Sequence, residues 1–321
     1  MQQHLIIDCD PGHDDYVMLL MACGSPNVHI RCISTVFGNA MVENTTKNAL
    51  IALELAKTRG IPVVMGAAGP ILGGRALTCP EIHGESGLAI GAGIVLPQPS
   101  EQPHRCDNYL LFMRNLIIDA PEPTTIVATG CLTNVALLLL AFPEVKSKLK
   151  IHIMGGAGGD GNVSPDGEFN IICDPLAASI VFNSGVDVFM VTLEITHQNL
   201  VTKARLNQLT DAVGANEPFA VILRGLLTYF ADTYAREFEM PDPPLHDPLA
   251  LFSTLAPELF KFKKLFVAVE TNTAAVCVGR TSIDRFARSN KEPNVWVCQA
   301  ADIDAFWRAL CDAVATVSKR W

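Results

Sequence analysis

The chain has 321 residues, of which 49% are hydrophobic and 18% are charged, and its formal net charge is −9. An acidic chain without clusters of Lys and Arg disfavours a nucleic-acid backbone or an anionic membrane surface as a partner, and a small neutral or cationic ligand suits it better. The longest apolar runs fall short of the roughly 18 residues that a membrane helix needs.

The high apolar fraction predicts that part of the surface is covered by another copy of the chain, in a homo-oligomer such as a dimer or tetramer. Ten cysteines are scattered along the chain without a CxxC pair, which is typical of reduced core residues. The first residues have no basic segment typical of a signal peptide. We therefore expect a cytoplasmic protein.

Apolar runs and helical patterns alternate along most of the chain. The runs predict strands at 5–8, 28–35, 61–65, 125–129, 151–154 and 188–193. The patterns between them predict helices at 15–23, 42–58, 107–119, 132–141 and 175–183. Two helices follow within 204–236, and the tail predicts strands at 265–270, 275–279 and 294–298 and a helix at 303–319.

These strands are apolar throughout and are joined by helices, which is the pattern of a parallel sheet buried on both faces. The sequence therefore predicts one α/β domain over residues 1–321, with a mainly parallel, Rossmann-like open sheet flanked by helices. Ligands bind such sheets at the carboxyl ends of the strands. Polar residues follow the predicted strands at that edge: the aspartates after the first strand, Asn39, Thr129, Thr133, Asn134, the segment 155–170, Glu194, Thr196 and His197.

The stretch LIIDCDPGHDD at 5–15 places four aspartates within eight positions: Asp8, Asp10, Asp14 and Asp15. Four crowded carboxylates repel each other and resist desolvation, so a fold keeps them most simply around a hard divalent cation. The alternative is an Asp-rich turn that caps the following helix, because aspartate suits the first helical turn. That alternative explains the second pair and leaves the first pair unexplained.

A glycine-rich loop, GGAGGDGN at 155–162, lacks the GxxxxGK[ST] spacing of a phosphate-binding loop and has no nearby lysine. A close approach of its backbone to a polyol fits better, because potential hydroxyl-binding groups follow directly: Asp166, Glu168, Asn170 and Asp174. Glu168 and Asn170 would face the same side if this segment is extended.

Three further features are ambiguous by themselves. His246 and Asp247 follow a proline-rich loop, and Asp247 with Pro248 also makes a good helix cap. Phe230 and Tyr234 are four apart on a predicted helix and by default would be core residues. The long irregular segment 67–105 contains His83 and is expected near the site.

Read together, these motifs resemble the inosine-uridine nucleoside hydrolase family. The resemblance rests on LIIDCDPGHDD, Asn39, TGCLTN at 129–134, MGG at 154–156, EFNIICDP at 168–175 and HDP at 246–248, in order over most of the chain. It implies hydrolysis of the N-glycosidic bond of ribonucleosides.

The resemblance also implies roles for individual residues. A calcium ion would be held by Asp10, Asp15, Asp247 and the carbonyl of Thr129, with Asp8 supporting these ligands from behind. Asp10 would accept the proton of the attacking water, and His246 is the candidate acid for the leaving base. Ribose would be bound by Asp14, Asn39, Met154, Asn162, Glu168 and Asn170, and the base would be enclosed by His83, Phe230 and Tyr234.

Four positions depart from the family's pattern: Cys9, Cys131, Glu194 and Phe230. Cys131 lies two residues from Thr129 and could shift its carbonyl. Phe230 lacks a hydroxyl often found there, which leaves the base preference open.

Two other functions remain as alternatives. The DxD after the first strand is also the signature of a magnesium-dependent aspartyl-phosphate phosphatase, although no suitable lysine follows. The third alternative is a calcium-dependent nucleoside-binding protein without turnover.

Overall fold

Nine strands form one sheet in the computed structural model, which describes residues 3–321. The strands are β1 (Gln3–Cys9), β2 (Val28–Thr35), β3 (Val63–Met65), β4 (Thr124–Ala128), β5 (Leu149–Met154), β6 (Asp187–Val191), β7 (Phe260–Val269), β8 (Thr281–Asp284) and β9 (Val295–Ala301). Their order across the sheet is β3-β2-β1-β4-β5-β6-β9-β7-β8. Strands β1 to β6 and β9 are parallel, and β7 and β8 are antiparallel to their neighbours. The predicted fold class is therefore confirmed.

Twelve α-helices in the described part of the chain flank this sheet. They are α1 (His13–Gly24), α2 (Val42–Leu55), α3 (Pro80–His83), α4 (Tyr109–Ile118), α5 (Thr133–Ala141), α6 (Phe169–Cys173), α7 (Pro175–Phe182), α8 (Leu193–Thr196), α9 (Lys203–Asp211), α10 (Pro218–Phe238), α11 (Asp247–Leu255) and α12 (Ile303–Ser318). Short 3-10 turns occupy Pro143–Lys148 and Pro257–Leu259. Within residues 3–321, no helix has both the length and the apolar character needed to cross a membrane.

The side chains of β1 show why its run is apolar throughout. Leu5, Ile7 and Cys9 pack into the core layer that contains α1, α2, α10, α11 and α12. Ile6 points the other way, into the layer that contains α4, α5 and α7. Both faces of the strand are covered, so both sets of alternating residues are buried.

The order of the strands reverses at β1, because β2 lies on one side of it and β4 on the other. Asp8 pairs with Ala128 across β1 and β4, so the residues that follow both strands emerge at the same edge. This edge is the switch point at which open α/β sheets bind their ligands. Asp10 follows β1 and Thr129 follows β4, so both lie at this edge.

The predicted strand at 275–279 is wrong. This segment is a turn between β7 and β8, in which Gly279 has φ of +78° and its amide donates to the Glu270 carbonyl. Val276 is 93% exposed, so its apolar side chain marks the tip of a hairpin instead of a core strand. The irregular segment predicted at 67–105 is present and contains only the short helix α3.

Candidate active site

Asp8 lies beneath the site, at the end of β1. One of its oxygens, Oδ1, accepts hydrogen bonds from the Ser34 hydroxyl and, at 2.8 Å, from the side chain of Asn134. The other oxygen, Oδ2, is buried without a partner among residues 3–321. Burial raises the pKa of Asp8 to about 6, although its two hydrogen bonds act in the opposite direction.

Asp10 follows the strand and is held by the loop after β2. Its Oδ2 accepts from the Asn39 amide at 2.7 Å, and its carbonyl accepts from the Asn39 side chain at 3.1 Å. Its Oδ1 is buried and has no partner among residues 3–321. Burial, and then the charge of Asp15, raise the pKa of Asp10 well above its usual value.

Asp14 and Asp15 lie in the first turn of α1, next to Asp247 in the first turn of α11. One oxygen from each of the three carboxylates lies within 4.8 Å of the other two. Burial raises the pKa of Asp14 to about 7, with the charge of Asp15 as the next cause. The pKa of Asp247 is raised well above its usual value by burial and then by the charge of Asp14.

Capping explains part of this arrangement. Oδ2 of Asp15 accepts from the Gly12 amide at 3.1 Å, as a residue in the first turn of α1 can do. Asp247 is not a cap, because α11 begins at Asp247 and His246 occupies the capping position without a side-chain hydrogen bond. The capping alternative therefore accounts for Asp15 and leaves Asp10, Asp14 and Asp247 unexplained.

The donor atoms of this region suit a hard cation. Oδ1 of Asp15 accepts from the Thr129 hydroxyl at 2.7 Å, and the Thr129 carbonyl accepts from the Asn170 side chain at 2.8 Å. All candidate ligand atoms are oxygens, and the carboxylates are buried without an arginine or lysine partner among residues 3–321. Such a set fits calcium or a similar divalent ion. The structure groups Asp14 with Asp15 and Asp247, whereas the sequence analysis places Asp10 among the ligands.

Glu168 and Asn170 lie at the start of α6. Glu168 is its N-cap residue and has an extended backbone, and Asn170 lies in the first turn, so the segment is extended only as far as Glu168. Glu168 caps the helix: its Oε1 accepts from the Asn170 amide at 3.0 Å, and its Oε2 accepts from the Gly156 amide at 2.8 Å. Burial raises the pKa of Glu168 to about 7. The Asn170 side chain also donates to the Met154 carbonyl at 3.1 Å, which ties α6 to the end of β5.

Aromatic side chains form the opposite end of the site. Phe230 and Tyr234 pack edge to face, with ring centroids 4.7 Å apart, and Ile82 belongs to the same apolar cluster. The Tyr234 hydroxyl lies 2.9 Å from Nε2 of His246, and Nδ1 of His246 lies 2.7 Å from the Thr196 hydroxyl. Burial lowers the pKa of His246 to about 3, so its imidazole is neutral at physiological pH.

These groups line one cavity of about 250 Å³. The predicted residues in its lining are Asp14, Asn39, His83, Thr129, Met154, Asn162, Glu168, Asn170, Phe230, Tyr234, His246 and Asp247. Asp10 and Asp15 lie behind this surface, fully buried. The cavity therefore has an acidic end at the sheet edge and an aromatic end at α10.

Several polar residues of the sequence analysis lie outside the cavity. Asp166 pairs with Arg280 at 3.2 Å, and Asp174 caps α7 and accepts from the Thr133 hydroxyl at 2.7 Å. Glu194 accepts from the Gly158 amide at 2.7 Å. The thiol of Cys131 donates to the Phe37 carbonyl at 3.2 Å.

Two residues at the site have no role predicted from the sequence: His13, which contacts His83, and Thr196, which contacts His246. His13 lies between the aspartate pairs, whose charge pattern dominates that stretch. In the sequence, Thr196 is distinguished only as a polar residue after the sixth strand.

Comparison with known proteins agrees with this geometry. The family described as "Inosine-uridine preferring nucleoside hydrolase" matches residues 5–308. A "Probable ribonucleoside hydrolase" of Dictyostelium discoideum is 40% identical over 319 residues, covering 96% of this chain and 93% of that protein. The "Pyrimidine-specific ribonucleoside hydrolase RihA" of Escherichia coli (strain SMS-3-5 / SECEC) is 38% identical over 310 residues, covering 96% and 97%.

Solved structures agree as well. The "Purine-Preferring Ribonucleoside Hydrolase from Gardnerella vaginalis" superposes with a TM-score of 0.89 at 27% identity, covering 99% of this chain and 100% of that one. The plant nucleoside hydrolase PpNRh1 gives 0.86 at 28% identity, covering 98% and 99%. The resemblance inferred from the sequence motifs is confirmed, and the chain belongs to the inosine-uridine preferring nucleoside hydrolase family.

Proposed function

We propose that this chain, a ribonucleoside hydrolase by family, cleaves the N-glycosidic bond with Asp10 as general base and with His246 acting on the leaving base through Tyr234. The observation that carries the proposal is the single cavity whose acidic end suits a polyol and whose aromatic end suits a nucleobase. In the balanced reaction, water gives its hydroxyl to the anomeric carbon and a proton to the enzyme, and the base leaves with a proton.

The acidic end would hold a calcium ion through Asp10, Asp15, Asp247 and the Thr129 carbonyl. When bound, the ion would offset the buried negative charge and lower the pKa of a coordinated water. Asp14 lines the cavity whereas Asp10 and Asp15 lie behind it, which supports a contact of Asp14 with the sugar. Asn39, Met154, Asn162, Glu168 and Asn170 surround the same space and would bind the remaining ribose atoms.

Asp10 suits the role of general base because its two oxygens differ. The Asn39 amide fixes Oδ2, while Oδ1 has no partner among residues 3–321. A carboxylate anchored through one oxygen and free at the other can accept a proton from a nearby water without reorienting.

The leaving base needs a proton because a base anion departs poorly. Both His246 and Tyr234 line the cavity, and Nε2 of His246 contacts the Tyr234 hydroxyl, so His246 can act on the base through that hydroxyl. In the tautomer with the proton on Nε2, His246 donates to Tyr234 and the Tyr234 hydroxyl donates into the cavity. The Thr196 hydroxyl can donate to Nδ1 in this state, since the distance is 2.7 Å.

Pyrimidine ribonucleosides are the proposed preferred substrates. The relatives that share 37 to 38% of their residues with this chain are named pyrimidine-specific, whereas the purine-preferring structure shares 27%. The high apolar fraction and large exposed apolar side chains such as Val276 and Phe286 support a homo-oligomer, which light scattering would test. A cytoplasmic location stays a prediction.

A panel assay tests the proposal. Reducing-sugar release is measured from uridine, cytidine, inosine, adenosine and guanosine, with 2′-deoxyuridine as a substrate that lacks one sugar hydroxyl. We expect the pyrimidine ribonucleosides to react fastest and the deoxynucleoside to react poorly. Release of phosphate from nucleoside monophosphates without release of ribose would instead favour the phosphatase alternative, and binding without any release would favour the non-catalytic one.

A further inference from the structure

The edge strand β8 contacts the glycine-rich loop that follows β5. Thr281, the first residue of β8, is buried, and its hydroxyl bonds both backbone groups of Ala157. Oγ1 accepts from the Ala157 amide at 2.9 Å and donates to the Ala157 carbonyl at 2.6 Å. A hydroxyl has one proton and two lone pairs, so both hydrogen bonds can form at once. The edge of the sheet is thereby tied to a loop whose Asn162 lines the cavity.

Thr281 also packs against the preceding residue of the loop, Gly156. Gly156 has φ of +77°, in the left-handed region, and a Cβ atom at this position would lie 3.1 Å from Oγ1 of Thr281 and 3.2 Å from its Cγ2. A larger residue would therefore be strained in its backbone and crowded by Thr281. The turn at Gly156 and the side chain of Thr281 are closely fitted to each other.

The same turn holds Glu168, which lines the cavity and is buried. The Gly156 amide donates to Oε2 of Glu168 at 2.8 Å. Strand β8 also contacts the backbone beside Glu168, because Arg280 pairs with Gly167 in an antiparallel bridge. Two consecutive residues of β8 thus hold the chain next to Glu168 and the loop that supplies its amide donor.

The loop has another restraint, which comes from α8. Glu194 accepts from the Gly158 amide at 2.7 Å. This contact does not satisfy the Ala157 amide, which donates to Thr281. Because Ala157 is buried, removal of the Thr281 hydroxyl would leave the Ala157 amide without that partner and would favour a rearrangement of the loop.

We propose that Thr281 is a positioning residue that keeps the Gly156 amide on Glu168 and thereby orients this carboxylate toward a ribose hydroxyl. The proposal deepens the proposed function and rests on it, since a ribose must occupy the cavity. Thr281 does not line the cavity, so it acts on the sugar only through the loop and Glu168.

The hydroxyl concerned is the one at C5′. Ribose has two adjacent hydroxyls, at C2′ and C3′, and a third at C5′. The adjacent pair suits the acidic end of the cavity, where Asp14, Asp15 and Asp247 lie together. Glu168 is outside that cluster and is left with the C5′ hydroxyl. Uridine has this hydroxyl and 5′-deoxyuridine lacks it, so the two substrates isolate the contact.

The first test needs no activity. Amide hydrogen exchange is followed by mass spectrometry on peptides that cover 155–162, in wild type, Thr281→Val and Thr281→Ser. Val keeps the shape of the side chain without the hydroxyl, and Ser keeps the hydroxyl. We expect exchange about tenfold faster in Thr281→Val and close to wild type in Thr281→Ser. Wild-type exchange in Thr281→Val would show that Glu194 holds the loop without Thr281, and would overturn the proposal.

The second test compares kcat/KM for the two substrates. In Thr281→Val, the value for uridine should fall about 10-fold, the effect of weakening one hydrogen bond to a charged group, while 5′-deoxyuridine should change less than about threefold. Thr281→Ser should keep the wild-type ratio of the two substrates. Ser282→Ala removes an exposed hydroxyl from the same strand and is the matched control, with wild-type values on both. Circular dichroism and thermal unfolding check that the variants fold.

The outcomes separate a positioning role from a structural one. Equal losses for uridine and 5′-deoxyuridine in Thr281→Val would show that Thr281 supports the fold alone. A loss in Thr281→Ser as large as in Thr281→Val would assign the effect to packing of the methyl group. Either result overturns the proposal.

The wild type provides a check that depends on no variant. We expect it to cleave uridine at least about 10-fold more efficiently than 5′-deoxyuridine, and equal values would show that Glu168 does not bind the C5′ hydroxyl. If the wild type cleaves no ribonucleoside, the proposed function fails and the positioning role fails with it. Hydrogen exchange would still decide whether Thr281 holds the loop.

Discussion

Replacing Asp8 with asparagine should change how the stability of the protein depends on pH. Burial raises the pKa of Asp8 to about 6 in the folded protein, compared with 3.8 for an exposed aspartate, which the unfolded chain approaches. The folded protein therefore binds this proton more tightly. The penalty for a buried carboxylate is fully present above pH 6, decreases as the pH falls, and disappears below about pH 4.

The size of the effect follows from the shift. Two pKa units correspond to about 3 kcal/mol in total, of which about 2 kcal/mol develops between pH 4 and pH 8. Asparagine can keep an oxygen at the Oδ1 position for Ser34 and Asn134, and its amide replaces Oδ2, which has no partner among residues 3–321. Asparagine does not titrate, so the penalty is absent from the variant.

The assay is urea unfolding of wild type and Asp8→Asn at pH 4, 6 and 8, in buffer with a chelator to keep metal binding out of the comparison. We expect the free energy of unfolding of the variant, relative to wild type, to increase by about 2 kcal/mol from pH 4 to pH 8. The exposed Asp211→Asn is the matched control and should show no such trend. Parallel pH curves for Asp8→Asn and wild type would refute the reasoning.

Three further predictions concern catalysis and metal binding. Asp10→Ala should lower kcat for uridine by more than about 100-fold, the usual scale for loss of a general base. The control Asp166→Ala removes a carboxylate that pairs with Arg280 outside the cavity, and its kcat should stay near wild type. A wild-type rate for Asp10→Ala would exclude Asp10 as the base. His246→Ala should slow uridine far more than p-nitrophenyl riboside, because nitrophenolate departs without a proton, and equal losses would remove His246 as the acid. Added Ca²⁺ should raise the melting temperature of chelator-treated wild type, because it binds only the folded state. Asp247→Asn should need more Ca²⁺ for the same rise in melting temperature. If wild type and Asp247→Asn respond identically to Ca²⁺, the ion binds elsewhere.

The sheet could be predicted from the sequence because a parallel strand buried on both faces has a recognisable local pattern, a continuous apolar run. Strand β1 must be apolar on both faces, and its run ends abruptly in aspartates. The wrongly predicted strand at 275–279 shows the limit of this pattern. Its apolar residues have the composition of a strand, but whether they face a core depends on β7 and β8, which pair directly across this turn.

The cavity lining was predicted mainly through the family resemblance, because few of its residues adjoin one another in the sequence. Asp15 and Thr129, for example, are joined by a 2.7 Å hydrogen bond across 114 residues of sequence. Composition and periodicity alone gave a cation site at a strand end and a polyol surface. They did not pair Tyr234 with His246, since a tyrosine on a helix and a histidine before another helix each have an ordinary structural explanation.

The helix start at Glu168 and Asn170 was left open by the sequence pattern. An extended segment places residues i and i+2 on the same side, and a helix N-cap brings its side chain to the amide of residue i+2. The sequence pattern therefore does not distinguish the two conformations. The cap does more than orient the two side chains: the amides of Gly156, Asn170 and Ile171 all donate to the Glu168 carboxylate. These hydrogen bonds stabilise the charged form of Glu168, and they oppose the burial that raises its pKa to about 7. The three amide donors therefore stabilise the Glu168 carboxylate, the form that the proposed function needs to accept a hydrogen bond from a sugar hydroxyl.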